Sequence, residues 1–380
     1  MPDQDPRYRN LTMMETAALQ GGLNVSDGHP RMPLTAAQQA IVEQLPLLFQ
    51  EAMKRPFSSI EHEAHQAFLS GIGQQTAPVG TDRLVSCYSS SVAMDIVARC
   101  LRECTSRVAL IHPTFDNIPD LLRARGLELL PITEEEFDAG LEELPEDVGA
   151  VFVTTPNNPT GWVLSAEKLA ALARFCARTG RVLAMDTCFR AQDLRAQYDS
   201  YQILEDAGVD WVVIEDSGKL WPMLELKAGF LAWGDRTRLD VENAFSDVLL
   251  SISPVILLLI THLAMDAKNG GYAQLRKLIE RNRRTLSQAI RDTPLTCVDP
   301  DSRISVARLA LPQSQPTADE FYLRLREDNV HLLPCAPFHW ARKGEGEAYV
   351  RIALARSPEE IVHASRAVAD AARMFDGRRR

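Results

Sequence analysis

Short apolar runs alternate with amphipathic segments through the middle of the chain, beginning at about residue 83. Runs rich in valine and isoleucine are typical of strands that are buried on both faces, and helical periodicity marks the segments between them. This order predicts βαβ units, and therefore an α/β fold with a mostly parallel sheet. The strand candidates are RLVSCY, VALIHP, AVFVTTP, VLAMD, WVVIED and AGFLAWG.

The pattern changes near residue 270. The segments GYAQLRKLIERNRRTLSQAI, TADEFYLRLRED and PEEIVHASRAVADAARMF predict helices, and RISVARLAL and YVRIALA predict strands. Together they indicate a smaller α+β unit. The beginning of the chain carries helix and turn signals but no convincing strand. We therefore predict an N-terminal segment over residues 1–35, a large domain over residues 36–265 and a small C-terminal domain over residues 266–380.

Composition and charge narrow the class of protein. The 380 residues carry a formal net charge of −10, which disfavours a nucleic-acid partner and favours the approach of a cationic small substrate. The apolar run 255–260 is far shorter than the roughly 20 residues of a membrane span. The first ten residues lack the apolar stretch of a secretion signal. We expect a cytoplasmic protein without a membrane partner, in which the apolar stretch 252–260 lies in the core or in an interface.

The cysteines indicate a reducing compartment. They number 7, an odd count, and no pair has the CxxC spacing of a zinc site, so we expect neither a metal site nor a disulfide framework. Cys100 and Cys104 lie four residues apart on a helical pattern, which is typical of buried packing. The histidines His62 and His65 are likewise expected to be structural.

Three polar groups follow strands of the predicted parallel sheet. Asn158 lies in the turn VTTPNNPTG, Asp186 ends the strand VLAMD, and Lys219 follows WVVIED. The carboxyl ends of parallel strands meet at one edge of a sheet, so these groups should lie together. An acid that keeps a ring nitrogen protonated, an amide for a phenolic oxygen and an amine for a Schiff base are what a pyridinium ring requires.

With these motifs the chain resembles the fold type I enzymes that depend on pyridoxal 5'-phosphate (PLP), the aspartate aminotransferase superfamily, over roughly residues 30 to 375. The resemblance implies a seven-stranded type of sheet, a Schiff base at Lys219, an Asp186 contact to the ring nitrogen and an Asn158 contact to the ring hydroxyl. It also implies that Arg351 binds the substrate α-carboxylate. The further cofactor-binding residues that it implies are Ser89, Ser90, Ser91, Phe115, Ser217 and Lys227.

Each motif alone has a structural alternative. A strand-end aspartate is often a helix cap, TPNNP can be a plain turn, and the serines at 89–91 can be an N-cap. Their common order and their strand and helix context favour the cofactor site.

Several positions depart from ordinary aminotransferases. Asp216 stands where a small residue is usual, Phe189 replaces a tyrosine that donates to the ring hydroxyl, and Lys227 replaces a phosphate-binding arginine. The segment LWPMLEL replaces a glycine-rich tract. A carboxylate so close to the Schiff base would repel a substrate carboxylate and attract a cationic side chain, which points to a basic amino acid.

A closer resemblance extends over nearly the whole chain. It rests on NLTMMETAALQGGLNVSDGHPRMPL, CYSSSVAMDI, HPTFDNI, TTPNNPTG and EDSGKLWPMLELKAG. These segments are similar to the PLP-dependent L-arginine oxidases and hydroxylases of streptomycete antibiotic pathways, such as the enduracididine pathway. That family converts L-arginine and O2 to 4-hydroxy-2-oxoarginine, with 2-oxoarginine as a shunt product, and releases peroxide.

The resemblance also assigns roles to the N-terminal segment, which closes over the substrate in that family, and implies a homodimer. Thr12, Glu15 and Asp27 would contribute to the substrate pocket, Asp216 would contact the guanidinium, and His29 would be a base that activates water at Cγ.

Alternatives remain for this segment and for the function. Thr12-x-x-Glu15 is also the pattern of a capping box, and residues 27–30 can be a plain turn. The alternative enzyme is a PLP-dependent aminotransferase that acts on a basic amino acid. A regulatory protein of this fold is disfavoured because Lys219 is present and no basic module is visible.

Overall fold

A central sheet of seven strands organises the protein, whose computed structural model describes residues 10–223, 225–312 and 316–377. Its strand order is β2-β8-β7-β6-β5-β3-β4. All neighbours are parallel except β8, which is antiparallel to both β2 and β7. The strands are β1 Leu23–Asn24, β2 Leu84–Cys87, β3 Arg107–His112, β4 Glu128–Thr133, β5 Val148–Thr154, β6 Val182–Asp186, β7 Asp210–Asp216, β8 Gly229–Trp233, β9 Thr296–Cys297, β10 Val306–Ala310, β11 Val330–His331, β12 Leu333–Pro334 and β13 Tyr349–Ala353.

Helices cover the sheet and complete the smaller C-terminal unit, as the periodicity predicts. They are α1 Leu11–Ala18, α2 Ala36–Val42, α3 Leu45–Ala52, α4 Phe57–Gly71, α5 Ser90–Cys104, α6 Asn117–Ala124, α7 Glu134–Ala139, α8 Ala166–Thr179, α9 Ser200–Ala207, α10 Val241–Val248, α11 Pro254–Asp266, α12 Tyr272–Ala289, α13 Ala318–Glu327 and α14 Pro358–Gly377. An antiparallel second sheet of four strands has the order β12-β13-β10-β9. It lies within the predicted small domain, whose boundaries stay a prediction.

Five strands lie where the sequence predicted none, and they are β1, β4, β9, β11 and β12. β4 is the edge strand of the large sheet and contains Pro131, which lacks the N–H that an inner strand donates. β1 lies in the N-terminal segment and pairs in parallel with β11, through Leu23 and Val330. The expectation of no strand at the beginning of the chain was therefore wrong, because a two-residue strand has no periodicity to detect.

The apolar stretch at 252–260 belongs to the core of the chain. Leu257, Leu259 and Ile260 on α11 are buried, and this helix packs against α4. Among the described helices, none combines the length and the apolar character that a membrane span requires. All seven cysteines are free. Cys100 is buried, whereas Cys104 is only partly buried.

The N-terminal segment lies against the small unit and against the residues that precede α6, although its residues 1–9 lie outside the described part of the chain. Leu11 and Met14 on α1 pack with Leu333, Cys335 and Phe338 of the small unit. The Leu11 N–H donates to the carboxylate of Asp116, next to α6, at 2.8 Å. These contacts hold α1 over the carboxyl ends of the sheet strands.

Candidate active site

A cavity of about 180 Å³ lies at the carboxyl ends of β5, β6 and β7, beneath α1. Almost all of the residues singled out in the sequence line it. Its lining is Thr12, Glu15, Gly28, His29, Ser89, Ser90, Ser91, Met94, Phe115, Asn117, Thr154, Asn158, Asp186, Cys188, Phe189, Asp216, Lys219, Lys227 and Arg351. The predicted residues that do not line it are Asp27 and Ser217.

Lys219 follows β7 in a short 3-10 turn. The N–H of Gly218 donates to the Asp216 carboxylate at 2.5 Å, which closes the turn. A Cβ at position 218 would lie 2.8 Å from Lys227 Cδ, so any larger residue would force the neighbouring side chains to shift. The Lys219 Nζ lies 3.3 Å from His29 Nε2 and 5.8 Å from the centroid of the Phe189 ring.

Asp186 ends the buried strand β6. Its carboxylate accepts a hydrogen bond from the Cys188 N–H at 3.1 Å. Burial raises the pKa of Asp186 to about 6, with a further contribution from the charge of Asp216. Such a group is poised to share a proton with a basic nitrogen. Burial also raises the pKa of the Cys188 thiol well above 9, which keeps this neighbour neutral.

The Asn158 turn is held from below by Glu134. The Asn157 Nδ2 donates to the Glu134 carboxylate at 2.6 Å, and the Thr160 hydroxyl donates to the same oxygen at 2.5 Å. Asn158 turns its own amide toward the cavity, where its Oδ1 accepts from Arg351 at 3.1 Å. The turn is therefore a braced part of the site.

The serines at 89–91 lie at the start of α5, which agrees with the N-cap alternative, and they also line the cavity. Ser89 caps the helix by accepting from the Val92 N–H, and Ser90 donates to Asp216 at 2.7 Å. A Cβ on Gly229 would meet the Ser90 nitrogen at 2.6 Å, so β8 can pass this close only as glycine. Helix N–H groups at this end of the cavity suit an anion.

Arg351 is fully buried on β13 and already has a carboxylate partner. Its guanidinium donates to Glu15 Oε1 at 3.2 Å and to the backbone oxygen of Ser26. It also lies 5.1 Å from the centroid of the Phe338 ring. Burial raises the pKa of Glu15, against the lowering effect of Arg351. Glu15 is thus bound to the Arg351 guanidinium, which is the group expected to bind a substrate carboxylate.

The capping-box alternative for Thr12 and Glu15 is wrong. The N-cap of α1 is Asn10, whose side chain accepts from the Met13 N–H at 2.8 Å. Thr12 therefore lies inside the helix, where its backbone oxygen accepts from Thr16. Both Thr12 and Glu15 are thereby left to face the cavity.

His29 lies between two ammonium groups, with its Nε2 3.3 Å from Lys219 Nζ and 3.0 Å from Lys227 Nζ. The charge of Lys219 lowers the pKa of His29 well below 6.5, with burial and Lys227 acting in the same direction. Its Nδ1 lies 3.7 Å from an Asp27 carboxylate oxygen, which favours the tautomer protonated at Nδ1 and leaves Nε2 with a lone pair.

Asp27 lies beside His29 and does not line the cavity, so its predicted substrate contact stays a prediction. Its carboxylate pairs with Arg31 at 2.9 Å and with Arg356 at 3.3 Å. Burial alone would raise the pKa of Asp27, but Arg356 and Arg31 together lower it. Asp27 also accepts from the His29 N–H at 3.0 Å, so it orders this loop.

Ser217 does not line the cavity, and its predicted cofactor contact stays a prediction. Its hydroxyl donates to the backbone oxygen of Ala228 at 3.0 Å and accepts from the Ala228 N–H at 2.8 Å. These bonds tie the Lys219 turn to β8. The hydroxyl faces the neighbouring backbone because the β7–β8 pairing places Ala228 beside it.

Sequence reasoning missed several residues of the site. Thr154 is the last residue of β5, and this strand-end position was a usable signal. Cys188, two residues after Asp186, was another. Met94 and Asn117 reach the cavity from α5 and α6, and a single sequence carries no signal for them. Arg356, which holds the His29 loop, was missed for the same reason.

The lining fits PLP in its donor set. The buried acid Asp186 suits a pyridine nitrogen, the amide of Asn158 suits the ring hydroxyl, and Phe115 offers an aromatic surface. The α5 N-terminus and Lys227 suit a phosphate, while Lys219 supplies the amine.

Comparison with known proteins defines the class. Residues 23–368 match the aminotransferase class I and II family, and the chain belongs to it. The cofactor of this family is PLP. MppP, solved after soaking with the product 2-ketoarginine, superimposes with a TM-score of 0.90 at 48% identity, over 92% of this chain and 99% of MppP.

More distant relatives bear aminotransferase names. The putative aminotransferase YugH of Bacillus subtilis is 22% identical over 304 residues, 74% of each chain. The probable N-succinyldiaminopimelate aminotransferase DapC of Mycobacterium tuberculosis is 25% identical over 334 residues, 83% of this chain and 81% of its own. An aspartate aminotransferase double mutant from Thermus thermophilus shares the fold, with a TM-score of 0.76 at 17% identity over 97% of each chain.

Proposed function

We propose that this enzyme uses PLP and O2 to oxidise L-arginine to 4-hydroxy-2-oxoarginine, with 2-oxoarginine, hydrogen peroxide and ammonia as further products. The observation that carries the proposal is the position of His29, which the N-terminal segment places 3.3 Å from the amine of Lys219. A neutral imidazole beside the reacting amine gives the site a second base, which a simple amino-group transfer does not require. The similarity to MppP supports arginine as the substrate.

Lys219 and Asp186 carry the proton steps. When bound, PLP withdraws electrons from the α-carbon of an amino acid joined to its aldehyde carbon. Lys219 removes the α-proton, because its amine lines the cavity and is the group that the substrate displaces. Asp186 holds a proton at the ring nitrogen. Its pKa of about 6 reflects burial, and pairing with the ring nitrogen would stabilise its charge.

Arg351 and Glu15 exchange partners when the substrate enters. The α-carboxylate of arginine replaces Glu15 on the buried guanidinium of Arg351. Glu15 is then free to accept the substrate guanidinium, together with Asp216. One charge pair is replaced by two, so neither carboxylate remains buried without a cation.

His29 acts on water at Cγ. The Asp27 carboxylate near Nδ1 keeps the Nε2 lone pair directed at the cavity. Residues 10–30 pack against the small unit and cover the cavity on that side. They limit the access of bulk water, which favours oxidation inside a closed site.

Oxygen consumption tests the proposal. Reconstituted enzyme with L-arginine should consume O2 and release peroxide without any 2-oxo acid acceptor. The Lys219→Ala variant should lose both this activity and the visible absorbance of the bound cofactor. An enzyme that leaves O2 untouched, or that turns over arginine only with an acceptor, would refute the oxidase assignment.

The second candidate is an aminotransferase for a basic amino acid, which the names of YugH and DapC favour. It predicts turnover under anaerobic conditions that depends on a 2-oxo acid. The same pair of measurements, with and without oxygen, therefore decides between the two functions.

A further inference from the structure

We propose that His112, His339 and Glu345 form a binding site for one divalent transition-metal ion, with Zn²⁺ as the probe. The three residues come from separate parts of the chain. His112 ends β3, His339 follows a short turn at Ala336–Phe338, and Glu345 lies in the turn Lys343–Gly346. This proposal does not depend on the proposed enzymatic function.

The distances suit a small ion. Glu345 Oε2 lies 3.4 Å from His112 Nε2 and 3.7 Å from His339 Nδ1. One ligand atom from each residue lies within 4.8 Å of the other two. Ligands at about 2.1 Å from a tetrahedral Zn²⁺ lie about 3.4 Å apart, so small side-chain rotations would bring all three into range.

Unsatisfied ring nitrogens give an independent indication. Both nitrogens of His339 and the Nδ1 of His112 are buried without a hydrogen-bond partner. Buried imidazole nitrogens without partners are unusual, and an ion that binds His339 Nδ1 would give one of them a partner. The two rings meet edge to face, with centroids 5.4 Å apart.

Glu345 provides access and selectivity. Its side chain is 49% exposed, so an ion can enter from solvent and water can complete its coordination. The second carboxylate oxygen accepts from Arg342 Nε at 2.8 Å, which orients the ligand oxygen toward the histidines. Two imidazole nitrogens and one carboxylate favour Zn²⁺ over Mg²⁺ or Ca²⁺, which prefer oxygen ligands.

The ion would join the two sheets behind the wall of the cavity. The Thr114 N–H donates to the Phe338 backbone oxygen at 3.1 Å, and the rings of Phe115 and Phe338 lie 5.7 Å apart. An ion at His112 and His339 would reinforce this junction, because these residues are close neighbours of the two phenylalanines in the chain.

Equilibrium dialysis with metal analysis tests the site. The PLP-loaded enzyme is first treated with a chelator and then titrated with Zn²⁺ or with Mg²⁺. We expect one Zn²⁺ per chain, no comparable Mg²⁺ binding, and a Zn²⁺ affinity at least about 10-fold weaker in the His339→Asn and Glu345→Gln variants. Because Glu345 is half exposed, its substitution should leave the fold intact.

The control is His363→Asn, on the exposed face of α14, which should bind Zn²⁺ like the wild type. Zn²⁺ should also raise the unfolding midpoint of the wild type and of the control, but not that of Glu345→Gln. Unchanged Zn²⁺ affinity in both site variants, or absence of Zn²⁺ binding in the wild type, would overturn the proposal.

Discussion

The imidazole of His29 lies between the ammonium groups of Lys219 and Lys227, and its protonation would add a third positive charge to a buried cluster. The charge of Lys219 is the main cause of the lowered pKa of His29, and burial is the second cause. The ring is therefore neutral at neutral pH and can accept a proton from water. This state is what the proposed role at Cγ requires.

Replacing His29 by alanine should change the product and spare the first oxidation. Lys219 still removes the α-proton, whereas water at Cγ loses its base, an effect worth about 10²- to 10⁴-fold in rate. We expect 2-oxoarginine to become the main product, as measured by chromatography of the keto acids. The exposed His62→Ala variant is the control, and an unaltered product ratio for His29→Ala would exclude the base role.

The raised pKa of Glu134 predicts that the free energy of unfolding depends on pH. Burial raises its pKa from 4.5 to about 7, although Thr160 and Asn157 donate to it. The folded protein thus holds a proton that the unfolded chain releases, and stability from this group is lost as the pH rises from about 4.5 to about 7.

A Glu134→Gln substitution keeps the acceptor oxygen and removes the titration. The free energy of unfolding of the variant, relative to that of the wild type, should therefore rise by about 1–3 kcal/mol from about pH 5 to about pH 8. Denaturant unfolding at both pH values measures this change. An equal difference at both pH values would show that Glu134 remains ionised throughout.

At the scale of the elements, one buried side chain bonds to three backbone oxygens of the segment that carries His29. Arg356 donates to the backbone oxygens of Asn24 at 2.6 Å, of His29 at 2.7 Å and of Asp27 at 2.8 Å. An arginine can serve three acceptors in different directions because its guanidinium is a planar fork. The orientation of His29 therefore depends on a residue of the opposite end of the chain.

Arg356→Lys should reproduce the product change of His29→Ala, because a single ammonium group cannot hold the whole loop. It should also lower stability by about 1–3 kcal/mol through the unpaired backbone oxygens. The matched control is Arg31→Lys, whose partly exposed side chain pairs with the same Asp27 carboxylate. If Arg356→Lys keeps the hydroxylated product, the loop is held by other contacts.

Elements with a strong period were predictable, and elements defined by distant contacts were not. The six strands of the initial series and the long helix α12 correspond to apolar runs and to amphipathic periodicity. β4 was missed because of its edge position and Pro131.

The Glu15–Arg351 pair joins residues 336 positions apart, and no local pattern encodes such a contact. The carboxyl ends of parallel strands meet at one edge of a sheet, and this rule predicted that Asp186, Asn158 and Lys219 lie together. Asp27 and Ser217 do not line the cavity.

The whole molecule exposes apolar side chains that a single chain does not cover. Leu47 and Met53 at α3 are 62% and 76% exposed, and Leu250 beyond α10 is 95% exposed. Apolar exposure of this extent is typical of interaction surfaces. We propose that these residues lie in the interface of a homodimer.

Light scattering should therefore give a mass of about twice the 42.3 kDa of one chain. The double variant Leu47→Asp/Met53→Asp should shift the protein toward the monomer, because charges would be buried in the interface. Met374→Asp on α14, where the side chain is 44% exposed, serves as the control. A monomeric wild type, or a double variant with unchanged mass, would place the interface elsewhere or remove it.

The pairing of Glu15 with Arg351 has a consequence for selectivity. An amino acid of similar length but with an aliphatic tail, such as norleucine, could displace Glu15 from Arg351 and would offer it nothing in return. The displaced carboxylate would stay desolvated without a counter-ion, at a cost far larger than the loss of one favourable contact. Discrimination against neutral amino acids would then come from a penalty within the protein itself, imposed at the moment of entry.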